Sequence, residues 1–334
     1  MERYAKPEYL IGLEEEINTI EKAIEDFETG KRSNVAVISE PFYGVERIVD
    51  KIESIASEKC KRMPSEDLVH DLESMDRLMK NNILIVENLH RIYRRKIGGF
   101  KDITKFQKYV STSDKLFITT WNLPSWNYLD EVLHIGKQFP LQVTLPKKDA
   151  NQIKEMLLSG YEENELSFVG IEVPRQEDKF LKVGWRSAFI LGREIKIPNL
   201  EVEIDILRYK LGQKKRKSAE ELFFEKIARI SDGNPGVAEV LWKAVLDYPN
   251  FVDRLEEPHL KIELDRAESF ALSAIISADF IERSELCEIV GSPDELLYVL
   301  SEGGLITVDG EICSARPEAL KEILEYLNKQ RLVW

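Results

Sequence analysis

The chain has 334 residues, more than one ordinary core accommodates, so two or three domains are expected. Hydrophobic residues make up 43% and charged residues 32%, with 47 Lys+Arg against 60 Asp+Glu. That balance describes a folded protein, and a net charge of −13 excludes a surface that grips nucleic acid or anionic lipid over its whole area.

Cys60, Cys287 and Cys313 are far apart and odd in number, and His70, His90, His134 and His259 are scattered. This gives no support to a disulfide framework or a zinc site. The N-terminal segment lacks an apolar h-region and no run approaches 18 apolar residues, so a soluble, cytoplasmic protein is expected. Abundant Lys, Glu and Ile with scarce Gln is a thermophile-like bias.

Leu13, Ile17, Ile20 and Ile24 recur at helical spacing within 10–28. Val35–Ile38 is a short β-branched run of the kind buried on both faces of a parallel sheet. It enters the turn Ser39–Gly44, then a helical pattern through Ile48, Ile52 and Ile55. A helix near 65–80 leads to a second strand, Ile83–Val86. The basic stretch Arg91–Lys96 and a helix near 101–112 precede a third, Leu116–Thr120, and Leu141–Leu145 is the fourth. Strands alternating with helices predict a three-layer α/β domain over 1–146.

From 147 to 250 a mostly helical region is expected, with helices at 148–158, 218–230 and 236–247 and an insertion at about 165–212. Within it the period-two run Glu201–Ile206 suggests a small β element. Residues 260–334 read as helices at 266–278, 282–290 and 293–302. Gly303-Gly304 stops the third, a hairpin turns at Asp309-Gly310, and Pro317 opens a last helix. Three helices followed by a β wing predict a winged helix.

The first strand–helix turn is the place for a phosphate-binding loop, whose glycines, Lys and Ser/Thr bind phosphates and Mg²⁺. The G-x-x-x-x-G-K-[ST] spacing falls on Ser39–Glu46. Only Gly44 matches, and Val45 and Glu46 stand where the Lys and the hydroxyl belong. A carboxylate there opposes phosphate by about 1–4 kcal/mol. The second strand ends in Glu87-Asn88. Glu87 has a carboxylate for a metal, whereas Asn88 cannot serve as a base. Asn122, at the end of the third strand, is a polar group of the kind that contacts a γ-phosphate or an attacking water.

Taken together, Tyr9–Ile17, Ile83–Asn88, Asn122, Phe139–Pro146 and Ser231–Gly236 resemble, in order and spacing, the AAA+/STAND-type archaeal P-loop ATPases, origin-initiator relatives included. The resemblance covers nearly the whole chain. It implies a P-loop NTPase-like domain, a helical lid and a C-terminal winged helix, with ATP or ADP and Mg²⁺ as cofactors. It also implies nucleotide contacts at Ile11, Gly12, Ser39, Gly44, Glu87, Asn122 and Pro235. The departures are the missing Walker A Lys and hydroxyl, the missing catalytic Glu, and Val237-Ala238-Glu239 where a sensor-2 Arg belongs.

Phe42 and Tyr43 are expected to fill the vacated phosphate space. Arg91, Arg94, Arg95 and Lys96, interleaved with Ile92 and Tyr93, read either as a nucleic-acid contact or as a solvated face. Lys214–Lys217 reads as an exposed linker. Residues 265–334 carry six Lys+Arg and fourteen Asp+Glu, so phosphates are repelled and a protein-docking or intramolecular role is expected of this module. The functional expectation is a degenerate AAA+-type homologue acting as a non-catalytic scaffold or regulatory partner. An ATP-binding switch with an atypical loop and an initiator-like DNA-binding protein remain as alternatives.

Overall fold

The computed structural model describes residues 6–65, 67, 82–162, 165–169, 181–190, 193–202, 218–252, 255, 257 and 260–333. Strands β1 (Val35–Ser39), β2 (Cys60–Pro64), β3 (Ile83–Glu87), β4 (Leu116–Asn122) and β5 (Leu141–Thr144) form a five-stranded sheet in the order β2-β3-β4-β1-β5. Every pairing in it is parallel.

Alternate residues of these strands point to opposite faces. Val35, Val37, Ile83, Ile85 and Ile118 pack against α1 (Glu14–Glu28) and α2 (Glu46–Ala56). Ala36, Ile38, Leu84, Val86 and Phe117 pack against α3 (Lys101–Thr112) and α4 (Leu123–Leu133). Each fully buried aliphatic side chain contributes about 1.5–3 kcal/mol. The result is the three-layer α/β arrangement that the sequence predicts.

Two of these elements are absent from the sequence reading. Cys60-Lys61-Arg62-Met63-Pro64 lacks an apolar run because β2 lies at an edge of the sheet and buries only Met63. Helix α4 follows β4 with no intervening loop. Asn122 ends the strand and caps the helix, its side chain accepting the Ser125 N–H, and Pro124 occupies the first turn. Most of the helix expected near 65–80 lies outside the described residues, as do 203–206 of the period-two run and Lys214–Lys217.

The second half contains α5 (Ala150–Leu158), α6 (Ala219–Ile230) and α7 (Pro235–Val245). A long antiparallel hairpin, β7 (Leu181–Ile190) with β8 (Arg193–Val202), lies within the expected insertion. Short strands β6 (Ser167–Val169), β9 (Leu246–Asp247) and β10 (Asn250–Val252) make a three-stranded sheet that the helical periodicity of 236–247 did not foretell.

The C-terminal module comprises α8 (Arg266–Ala278), β11 (Phe280–Glu282), α9 (Arg283–Val290), α10 (Asp294–Glu302), β12 (Ile306–Asp309), β13 (Ile312–Ala315) and α11 (Leu320–Lys329). Pro317 opens a 3₁₀ turn that leads into α11. Helices α5–α7 and this module share one core, in which Phe223, Phe224 and Trp242 join Leu272, Ile275, Leu300 and Ile323. Among the described residues no helix is long and apolar enough to cross a membrane.

Candidate functional site

The sheet places the ends of β1, β3 and β4 side by side, and the turn after β1 opens toward them. Phe42 takes a positive φ of 65° and Gly44 one of 80°. Such a backbone costs about 1–3 kcal/mol at a bulky residue and persists only where neighbours enforce it. Helices α5–α7, called the lid below, supply that enforcement. The Asn234 side chain donates to the Pro41 carbonyl at 2.9 Å while its oxygen caps α7 through Gly236 and Val237. Gly236 lies against Phe42, and a Cβ there would meet the Phe42 carbonyl oxygen at 1.6 Å. Lys147 bridges Glu40, at 3.0 Å, and Asp232.

The two aromatics line the space beside the turn without filling it. Tyr43 turns inward, is buried beside Val37 and Ile48, and donates its hydroxyl to the Pro146 carbonyl at 2.8 Å. Phe42 packs against the core of the lid. A cavity of about 520 Å³ is left between the turn, the ends of β3 and β4, and the C-terminal module. Ser39, Glu40, Gly44 and Glu46 line one side, Asn88, His90, Thr120 and Asn122 the floor, and Asp279, Phe280, Ile312 and Ser314 the roof.

Of the residues implied as nucleotide contacts, Ser39, Gly44 and Asn122 meet at this cavity, whereas Ile11, Gly12, Glu87 and Pro235 do not line it. Glu87 is held by Arg62 of β2 in a two-pronged pair, Nε to Oε1 at 2.6 Å and Nη2 to Oε2 at 2.9 Å. The guanidinium also meets Asp50 and Glu53. Hydrogen bonding to these carboxylates, Glu87 foremost, raises the Arg62 pKa against its partial burial. Asn122 is buried, and its amide donates to the Ile276 carbonyl at 2.9 Å and to Asp279. The Asn122 N–H donates to His90 Nδ1 at 3.0 Å, which leaves the ring proton on Nε2 to face Asp279 Oδ2 at 2.9 Å. The sequence reading missed Arg62, His90 and Asp279. Only folding brings them to the site.

On the opposite side of the turn the lid covers Ile11 and Gly12. A Cβ at Gly12 would meet the Gln152 side chain at 2.3 Å. The buried Lys148 ammonium donates to the Ile11 carbonyl. Burial pushes its pKa down to about 8, partly opposed by Glu14, Glu16 and Glu8. That displacement corresponds to about 3 kcal/mol. Between pH about 8 and about 10.5 the unfolded chain holds a proton that the folded chain has released, so this group adds stability as pH rises through the window and destabilises below it. Lys148→Met should therefore raise stability at pH 7 by about 1–2 kcal/mol after loss of the hydrogen bond. It should also flatten the stability profile above pH 8. Thermal unfolding at neutral and alkaline pH checks this, and a destabilised variant would contradict it.

The residues present do not fit a magnesium–triphosphate group. Glu40 and Glu46 line the cavity with no Lys or Arg among its lining residues, Lys147 is taken up by Glu40 and Asp232, and Glu87 is neutralised by Arg62. Among the described residues no three His, Cys, Asp or Glu side chains are arranged to hold a metal.

The cations of the basic segment are half-buried and engaged within the chain. Arg94 pairs with Glu285 and Lys96 with Glu288, both on α9. Arg95 donates to the Leu332 carbonyl at 3.1 Å, and Arg91 lies 3.7 Å from the centre of the Phe280 ring. Nearby, Ser125 donates to the Ser277 carbonyl at 2.5 Å. The acidic module is thus seated on the basic loop.

No protein-family model matches the chain, and no curated protein matches it. Among solved structures it is similar to the Thermotoga maritima RuvB Holliday junction branch migration motor, at 14% identity over 95% of this chain and 99% of that one, TM-score 0.41. It is also similar to the Aeropyrum pernix ORC1 protein in complex with DNA, at 11% identity over 97% and 95%, TM-score 0.40. The FIGL-1 AAA domain in complex with ADP matches 46% of this chain and 61% of its own at 14% identity, TM-score 0.35.

Proposed function

We propose that the chain is a non-catalytic protein of P-loop ATPase fold that acts as a scaffold or regulatory partner through its C-terminal module, which we read as a winged helix. The observation that carries this is the internal use of the catalytic positions. Glu87 is bound by Arg62, and Asn122 by Asp279 and the end of α8. The turn that would cradle phosphates is clamped by Asn234 and Gly236. Catalysis by this fold requires donors and a metal aimed at the phosphates, whereas here these groups are aimed at the protein itself.

The exposed side of α10 fits a protein partner better than a nucleic acid. Asp294, Glu295 and Glu302 are exposed around Tyr298, which is 66% exposed. An aromatic anchor ringed by charge suits a cationic protein surface.

Titration with ATP and ADP plus Mg²⁺ by calorimetry, alongside thermal unfolding, tests the reading. No saturable heat is expected up to ~1 mM, and no stabilisation. Saturation at or below ~100 μM, with the ~2.7 kcal/mol of linkage expected at a hundredfold excess, would instead establish a nucleotide-binding switch. The cavity of about 520 Å³ keeps that second reading worth the measurement.

A further inference from the structure

The loop that carries Arg91, Arg94, Arg95 and Lys96 meets the C-terminal module in an uneven way. Glu285 and Glu288 stand three residues apart on α9 and face Arg94 and Lys96, two anions against two cations. These pairs are partly exposed, so they are weak and salt-sensitive. Arg95 is fitted worse. Its Nη1 has two oxygen partners and its guanidinium stacks over Tyr128 at 4.2 Å, but Nε and Nη2 are buried with no acceptor in reach. A guanidinium left partly unsatisfied in the docked state gains more from an acceptor that reaches the whole fork. Ile97, at the tip of the same loop, is fully exposed, and the neighbouring Gly98 has open space around it.

We infer that the C-terminal module is a cover over a phosphate-binding surface, and that a nucleic-acid backbone competes with Glu285 and Glu288 for Arg94, Arg95 and Lys96. Glu285 and Glu288, neighbours on one face of α9, hold two cations side by side, an arrangement of anions that a phosphate backbone also offers. An apolar tip beside cations suits a groove with stacked bases. The carboxylates around the loop would oppose a flat anionic membrane over its whole contact, whereas a strand of phosphates can approach the loop alone. This inference goes beyond the scaffold reading, and it stands or falls independently of nucleotide binding.

The test uses the full chain, a labelled DNA duplex followed by fluorescence anisotropy, and amide exchange of α9. Glu285→Gln/Glu288→Gln should bind the duplex about 2- to 30-fold more tightly than the parent, as removal of two such competing pairs allows. Its α9 amides should exchange faster. Adding duplex to the parent should also speed α9 exchange. About three phosphate contacts imply an affinity that falls ~40-fold for a fourfold rise in salt. Adding Arg94→Ala and Arg95→Ala should abolish the gain. Unchanged duplex affinity in the Gln variant, unchanged α9 exchange, a gain that survives loss of the arginines, or preference for anionic vesicles over duplex would each overturn the inference.

Discussion

Gly236→Ala is expected to destabilise the protein by about 2–4 kcal/mol and to loosen the turn after β1 together with the start of α7. The new methyl group would sit 1.6 Å from the Phe42 carbonyl oxygen, and the obstacle is backbone, so no rotamer change relieves it. Ordinary overpacking costs about 1–3 kcal/mol. Here the shift would also stretch the Asn234 bond to Pro41 and release the constraint that keeps Phe42 at positive φ. Alanine is otherwise a better helix former than glycine, by about 1 kcal/mol, so a net loss isolates the contact between lid and turn. Calorimetry gives the size of the effect, and amide exchange at 40–45 gives its location. An unchanged melting temperature would mean that lid and turn are not locked together.

The second large effect is expected at Arg62. Glu87, Asp50 and Glu53 converge on this side chain, and Glu87 is only 19% exposed. Removing one partner of a mostly buried pair leaves a carboxylate without its counter-charge, which costs about 3–5 kcal/mol in full burial and about 2–4 kcal/mol here. Arg62→Met should show that loss. Adding Glu87→Leu should recover most of it, because a pair replaced by apolar side chains of similar size is often neutral. The coupling energy from the four proteins then measures the pair, with about 0.5–3 kcal/mol expected. A double variant no more stable than Arg62→Met would show that Glu87 is solvated and available to a metal.

How much of this could be read beforehand differs between the two halves of the argument. Buried parallel strands announce themselves because both faces are apolar, so Val35–Ile38, Ile83–Val86 and Leu116–Thr120 stood out from their surroundings. The helices of the C-terminal module were legible through their periodicity, the Gly303-Gly304 stop and the Pro317 start. Edge strand β2 was not, since four of its five residues are not fully buried and Lys61 and Arg62 erase its pattern.

The losses at the phosphate loop were also plain in the sequence, as substitutions at fixed spacing. What replaced them was not. Arg62 reaches Glu87 across 25 residues, and Asp279 reaches His90 across 189. No local periodicity encodes such pairings. One signal was present in the composition, namely a basic run at 91–96 and an acidic last seventy residues, each unusual against the chain's average and complementary to the other. An intramolecular role for the acidic module was among the expectations, but that its partner is the basic run was not.

The final turn of α8 offers its Ile276 and Ser277 carbonyls to Asn122 and Ser125, which lie 154 and 152 residues earlier in the chain. During synthesis at about 5–20 residues per second, the β4–α4 corner leaves the ribosome roughly 8–30 s before its acceptors do. For most of that interval, once β5 has followed, the sheet is complete while the basic loop and the cavity beside it have no roof. The nascent chain is therefore a different object from the finished one, with a cationic, open face that the last seventy residues later close. A partner that reads that face would meet it first at the ribosome.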